Sequence, residues 1–385
     1  MTAALYRSRA PHRAPARPRI ELHPMAALAM IGVGGAAVIL LWLQDTVYVS
    51  GLGDWLTNAG RIAGLLAGYA IVVLLALMAR IPALERGLGA DRLARWHAMG
   101  GRYTVSLAVA HTLLIIWGYA VTAHTNVVHE TTSLVLTYPD VLMGTVALLL
   151  FVGVAIASAR AARRRLSYET WHFIHLYTYL ALALAFSHQF STGADFVSNT
   201  NARWLWSALY ITVGALLLWY RLITPIRAAF RHQLRVVEVR RENADVVTVY
   251  ITGQHLDELG AEAGQFFRWR FLTRELWWAA NPYSLSAAPR PDMLRVTVKI
   301  AGSHSAALLA LAPGTRILAE GPYGVFTASR RTHRKVLLLA GGVGITPLRA
   351  LFETLPGHPG DITMIYRANT SDDLVLRQEL DWIAR

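Results

Sequence analysis

Cysteine is absent from all 385 residues. That absence excludes a disulfide framework, a thiolate-ligated zinc or iron–sulfur site, and a cysteine nucleophile. Charge is scarce too: Asp, Glu, Lys and Arg make up 16% of the chain, against about 25% in a typical soluble domain. An ordinary water-soluble enzyme is thereby excluded. Lysine is nearly missing, Lys299 and Lys335 standing against 35 arginines, a bias that GC-rich coding produces. The net charge of +13 would suit a nucleic-acid binder, so the placement of the arginines has to decide.

The space is filled by apolar sequence, concentrated in the first 220 residues. Charge-free runs occupy 24–44, 62–79, 103–123, 141–159, 170–190 and 204–220. Each approximates the ~17–25 residues that cross hydrocarbon as a helix, which predicts six spans. The first run is too long for a signal peptide and no small-residue cleavage site follows it. Arginines mark one side of these spans. Arg7, Arg9, Arg13, Arg17 and Arg19 precede the first. Arg80, Arg86, Arg92, Arg95 and Arg102 fill the second loop, and Arg160, Arg163, Arg164 and Arg165 the fourth. Arg221, Arg227 and Arg231 follow the sixth, whereas the opposite side offers only Arg61 and Arg203. The positive-inside rule then puts the N-terminus and everything past Arg221 in the cytoplasm. Much of the basic excess is therefore a topology signal. The expected partner is the lipid bilayer of a bacterial inner or plasma membrane, with no nucleic acid.

Four histidines fall in the third and fifth spans. His97 and His111 are 14 residues apart, roughly 21 Å of helical rise on nearly one face. His175 and His188 match them in depth on a span running the same way, so His97 faces His175 and His111 faces His188. Ionisable groups at membrane depth are costly and usually functional. Two stacked pairs suit two haems, each iron held between two imidazoles. For a lone histidine, a helix-end bond to a backbone carbonyl is the commoner reading; four at matched depth favour ligation. The pairs lie too far apart to share one zinc ion. The 13-residue offset between His175 and His188 puts them about 140° apart on an ideal helix. A kink or π-bulge in span five is expected to absorb it, and His172 is the reserve ligand.

Past residue 230 the texture becomes β-rich, with runs at Leu234–Val239, Val246–Thr252, Phe266–Phe271 and Leu294–Ile300 between turn residues. From Lys335 the pattern is strand, glycine turn, helix, strand, helix, the opening of a parallel α/β domain. Asn281-Pro282-Tyr283-Ser284 puts an aromatic and a hydroxyl at a strand end, where they can stack on a flavin ring and bond its reactive edge. Lys299 closes a strand before Gly302-Ser303-His304-Ser305, a helix start offering N–H groups to a pyrophosphate. Gly341-Gly342-Val343-Gly344-Ile345-Thr346 lets backbone approach a dinucleotide ahead of a helix dipole. Arg367, ending the second strand of that domain, can pair with a 2′-phosphate, where an NAD site would carry an acid; Arg377 is a second candidate.

In this order the motifs resemble the ferric reductase and NADPH oxidase family of transmembrane flavocytochromes. The resemblance runs over nearly the whole chain. It implies a multidomain membrane protein: a basic tail (1–23), a six-helix transmembrane haem domain (24–225), an antiparallel β-barrel FAD domain (230–330) and a partial α/β Rossmann-like nicotinamide domain (335–385). Pro282, Tyr283 and Ser284 match the family's flavin motif, and Asn281 stands where the family carries His or Arg. Gly341, Gly342, Gly344 and Thr346 are implied to line the nicotinamide nucleotide. The family continues to a Cys-Gly-Pro segment, so a fragment ending at Arg385 is expected, which also accounts for the missing cysteine.

The implied activity is electron transfer from cytoplasmic NADPH or NADH, through FAD and two haem b groups, to an acceptor outside. A ferric chelate is the first choice and dioxygen the second, with an electron-relay subunit serving a partner protein or quinone as a third reading. A structural protein with a decayed flavin module is the remaining one. Arg92, Arg95 and Arg102 inside and Arg61 and Arg203 outside are candidate propionate partners, against simple snorkelling. Arg61 and Arg203 can also attract an anionic chelate, and His124 and His129 lie in the longest outer loop.

Overall fold

The computed structural model describes residues 20–44, 46 and 49–385. The arginines Arg7 to Arg19 of the basic tail lie outside them. Two compact units emerge among the described residues: Leu22–Leu84 with Asp91–Leu218, and Trp219–Arg385 with Glu85–Ala90 and residues 20–21.

The first unit is helical. Its long helices are α1 (Pro24–Gln44), α2 (Gly51–Met78), α3 (Ala90–Thr122), α4 (Val141–Ser158), α5 (Tyr168–Thr192) and α6 (Thr200–Leu218). The helical path of α6 runs on to His232, and with that extension five of these helices are long and apolar enough to cross a membrane. The exception is α5. It has 25 residues, but His172, His175, His188 and three tyrosines dilute its apolar character. Large apolar side chains such as Leu113, Leu149, Trp204 and Ile211 are exposed on the helices, the pattern of a surface facing acyl chains instead of water. The chain is a multi-pass membrane protein.

Small residues set the helix spacing. A Cβ on Gly118 of α3 would lie 2.8 Å from the Thr57 amide and 2.9 Å from the Gly53 carbonyl of α2. Only glycine permits this approach, the usual device where lipid removes the hydrophobic drive to associate.

The predicted defect in span five is not found. Helix α5 is α-helical from Tyr168 to Thr192, and the π-helical turn lies at Trp219–Ile223, after α6. The offset between His175 and His188 is therefore absorbed outside the backbone hydrogen-bond ladder.

The second unit begins with six strands in two antiparallel sheets: β1 (Arg235–Arg241), β2 (Val246–Thr252), β3 (Phe266–Phe271), β4 (Asn281–Ser284), β5 (Leu294–Lys299) and β6 (Ile317–Tyr323). Their orders are β1-β2-β5 and β4-β3-β6. In β3, Phe267, Trp269 and Phe271 alternate inward onto Val247, Val249, Ile251, Leu285 and Val296, while Phe266, Arg268 and Arg270 turn outward. Isolated bridges join the sheets at Arg235–Arg316 and Leu285–Val296, so the expected closed barrel appears as two sheets linked at single points. The remainder comprises β7 (Val336–Gly341), α7 (Ile345–Thr354), β8 (Ile362–Arg367) and α8 (Arg377–Ile383). Strands β7 and β8 are parallel. One face of the pair packs Leu338 and Ala340 against Ile345, Leu348 and Leu380; Leu337, Leu339 and Ile365 are exposed on the other.

Candidate functional site

The membrane unit brings the four histidines together in the expected pairs. The rings of His97 and His175 have centroids 5.9 Å apart with planes inclined at 70°. Those of His111 and His188 are 6.4 Å apart at 61°. A metal–imidazole bond is about 2 Å and a ring nitrogen lies ~1.1 Å from its ring centre, so two imidazoles on one metal have centroids roughly 6 Å apart. Both pairs have that spacing. His172, three residues before His175, is exposed.

The backbone of α2 orients the α3 pair members. His97 Nδ1 lies 3.2 Å from the Leu74 carbonyl and His111 Nδ1 2.8 Å from the Gly60 carbonyl. Each carbonyl accepts an Nδ1–H, which puts the ring's lone pair on Nε2. Glycines make room for the outer pair. A Cβ at Gly64 would lie 2.6 Å from His111 Nδ1, and one at Gly144 would lie 2.9 Å from His188 Cδ2. Gly64→Val is accordingly expected to displace the His111 ring and cost about 1–3 kcal/mol by overpacking, read as a lowered melting temperature.

Asp140 is a residue that sequence reading missed. It precedes α4 in a left-handed conformation, φ 58°, and does not cap that helix. Its Oδ2 accepts from Ser187 Oγ at 2.6 Å and also from Ser191 Oγ. These serines flank His188, whose Nδ1 lies 3.1 Å from Thr192 Oγ1. A lone acid opening an apolar run was the available signal.

The outer arginines are already engaged. Arg61 pairs with the buried carboxylate of Asp195 at 2.7 Å and donates to Asn58 Oδ1 at 3.1 Å. Arg203 sits with its Cζ 5.3 Å from the Phe190 ring centre. Their expected service to an anionic chelate is weakened by these commitments. His124 and His129 are exposed, His129 donating its amide to the Asn126 cap at 2.8 Å.

In the second unit, β4 carries Pro282, Tyr283 and Ser284 beside Arg268, Phe267 and Phe266 of β3. Trp269 Nε1 donates to the Tyr283 carbonyl at 2.9 Å and pins the strand. Burial pushes the Tyr283 phenol up from its ordinary pKa, opposed by a hydrogen bond with Asn281; the ring remains neutral and free to stack. Asn281 Nδ2 lies 2.5 Å from His304 Nδ1, joining β4 to the turn at Gly302–Ser305. The helix after Gly302 is one turn long, Ser303–Ala306. Ser305 Oγ accepts from the amides of Ala301 and Gly302 at 2.8 and 3.1 Å. Ser305 therefore shapes the loop and takes one of the amides expected to be open, that of Gly302. Lys299 is exposed at the end of β5.

The glycine turn follows β7 as expected. Gly342 has φ 51°, and a Cβ on Gly341, Gly342 or Gly344 would meet nothing within 4 Å. Among the described residues no atom lies close enough to require their smallness, and at Gly342 the positive φ itself favours glycine. Thr346, which follows the turn as the second residue of α7, is buried at 6% exposure. Arg367 is exposed directly beside Gly341 in the sheet register, at the strand ends where open α/β sheets take ligands. Arg377 pairs loosely with Asp381, 3.8 Å away.

A buried ionic network was not anticipated. Arg295 of β5 grips Glu379 of α8 with two bonds of 2.8 and 2.9 Å and bonds Ser286 Oγ at 3.1 Å. Arg349 of α7 reaches the same carboxylate at 2.7 Å and also pairs with Glu353.

Fold and site together define a class: a multi-pass membrane protein with paired histidines between its helices and a reductase-type module of two small antiparallel sheets and a βαβ unit. Residues 63–186, which include all four histidines, match the family described as "Ferric reductase like transmembrane component". The second half is similar to NADH-cytochrome b5 reductase 1 of Eremothecium gossypii, 28% identical over 167 residues, which are 42% of this chain and 55% of that protein. It is also similar to a flavohemoprotein of Oceanobacillus iheyensis, at 26% over 36% of this chain and 34% of that one. Ferredoxin-NADP reductase B of Sorangium cellulosum is 34% identical over 27% of this chain and 44% of its own. The FAD/NAD-binding domain of nitric oxide dioxygenase from Vibrio cholerae aligns with a TM-score of 0.35 at 25% identity, covering 40% of this chain and 69% of that chain. The chain spans between 34% and 55% of the length of these three curated relatives. A segment similar to a ferric reductase like transmembrane component is thus followed by a module similar to flavoprotein reductases, the combination that the sequence resembles.

Proposed function

We propose that the chain carries electrons across a membrane, from NADPH or NADH on the cytoplasmic side, through FAD and two haem b groups, to a ferric chelate on the other. The observation that carries this reading is the pair of imidazole couples at 5.9 and 6.4 Å inside the segment that matches the ferric reductase like component. In this reading α5 crosses the membrane as a sixth span, its polarity the consequence of its histidines, and the arginine-rich loops face the cytoplasm. Residues 230–330 serve the flavin and 335–385 the nicotinamide nucleotide.

When bound, the flavin accepts two electrons as hydride and releases them singly, and each haem carries one. The chain's own residues supply position. Tyr283 offers its ring face and Ser284 its hydroxyl at the end of β4. Pro282 fixes the strand's entry, and Asn281 ties it to His304. Gly341, Gly342 and Gly344 admit the nucleotide close to backbone, with Arg367 facing a 2′-phosphate, which favours NADPH. Lys299 and Gly302 edge the pyrophosphate side. His97 with His175, and His111 with His188, would each hold one haem iron from two sides, which would leave an acceptor no open coordination site.

Proteoliposomes holding the purified chain test the reading. We expect reduced-minus-oxidised spectra of low-spin bis-histidine haem, and NADPH-driven reduction of ferric citrate on the side opposite the nucleotide. Protein that retains no haem would remove the proposal. Turnover only with dioxygen, yielding superoxide, would replace the acceptor.

A further inference from the structure

Three of the four paired histidines have a partner at Nδ1: the Leu74 carbonyl for His97, the Gly60 carbonyl for His111 and the Thr192 hydroxyl for His188. His175 differs. Its Nδ1 is buried and has no hydrogen-bond partner among the described residues. A ligating imidazole normally has its other ring nitrogen bonded, which sets the tautomer and the rotation of the ring. Some other contact must hold this one.

The contact is the indole of Trp171, one turn earlier on α5. The two rings stack with centroids 5.2 Å apart and planes 24° from parallel. Trp171 is itself held from outside its own helix. Its Nε1 donates to Ser158 Oγ, the last residue of α4, at 3.1 Å. The guanidinium carbon of Arg163, in the following loop, lies 4.8 Å from its ring centre, within cation–π range. A near-parallel stack opposes rotation of the imidazole about its Cβ–Cγ bond, and the two outside contacts oppose movement of the indole.

We propose that Trp171 is the positioning residue for His175, doing by stacking what hydrogen bonds do for the other three histidines, with Ser158 and Arg163 holding the indole in place. The inference rests on the reading of the histidines as haem ligands. It makes the 70° angle between the His97 and His175 planes dependent on a side chain that touches no iron. Ser158 and Arg163 sit at the arginine-rich end of the helices, so the inner pair is anchored from that side.

The test uses the full chain in detergent and the electron paramagnetic resonance of its ferric haems. Steeply crossed imidazole planes give strongly anisotropic low-spin signals, and planes nearer parallel give ordinary rhombic ones. A His97→Leu/His175→Leu variant identifies the inner signal by its loss. Trp171→Ala is expected to convert that signal to a broad or rhombic form and to weaken inner haem retention by about 10–100-fold. The outer signal, which reports intact folding, stays unchanged. Trp171→Phe keeps a stacking ring but loses the bond to Ser158, so it is expected to restore the inner signal only as far as Ser158→Ala, which shifts it part of the way. Inner signal and haem retention unchanged in Trp171→Ala, or Trp171→Phe failing as fully as alanine, would overturn the proposal. Wild-type protein with no low-spin haem signal would overturn the ligand reading beneath it, a different and recognisable result.

Discussion

Replacing His111 and His188 together by leucine is expected to lower the haem content from two per chain to one. Transmembrane reduction of ferric citrate should fall by roughly 100-fold or more, while NADPH oxidation by a soluble dye continues. The two rings form one couple at 6.4 Å, and each is held by a separate backbone or hydroxyl partner. Losing both leaves the inner couple without a successor. The 14 residues between His97 and His111 rise roughly 21 Å along the helix, a long interval for one electron step. Leucine suits the bilayer, so helix insertion survives and the inner haem serves as the internal control. Haem content still at two per chain would refute the assignment of this pair. Loss of dye reduction as well would mean that the flavin module depends on the outer pair, contrary to the arrangement proposed.

The second large effect concerns Glu379. Its carboxylate receives Arg295 at 2.8 and 2.9 Å and stands 2.7 Å from Arg349. Arg295 is 3% exposed and Arg349 1%. Leucine at 379 would leave the buried Arg295 without that carboxylate and Arg349 with Glu353 alone, two cations brought together with little solvent to screen them. Removing one member of a buried ionic network costs about 3–5 kcal/mol. For a module of this size that corresponds to roughly 10 °C in melting temperature. Differential scanning calorimetry should show the transition of the second unit shifted and that of the helical unit in place. A Glu379→Leu/Arg349→Leu variant is expected to recover part of the loss, since one uncompensated charge leaves with the second substitution. No shift in Glu379→Leu would mean that water reaches the network.

These cases divide what local sequence carries from what it does not. Spans, strands and the glycine turn are periodic or compositional features, set by bilayer thickness, strand alternation and the conformations glycine permits. They could be read directly, as in β3, where Phe267, Trp269 and Phe271 alternate with outward residues. Histidine depth was equally legible, because rise per residue is constant in a helix. The rule failed in two places. Helix α5 falls below the apolar level of the other five since its own histidines dilute it, and it carries no π-turn, the π-helical turn lying at Trp219–Ile223 after α6.

By itself, then, the sequence determined a multi-pass chain with paired histidines at two depths, followed by a β-rich module and a glycine turn. Only the tertiary structure decided what holds each ring. Asp140 meets Ser187 from 47 residues away, Arg295 meets Glu379 from 84, and Gly64 clears space for His111 across two helices. Such contacts depend on which helices and sheets come to lie side by side. That pairing is a property of packing, and no local pattern encodes it.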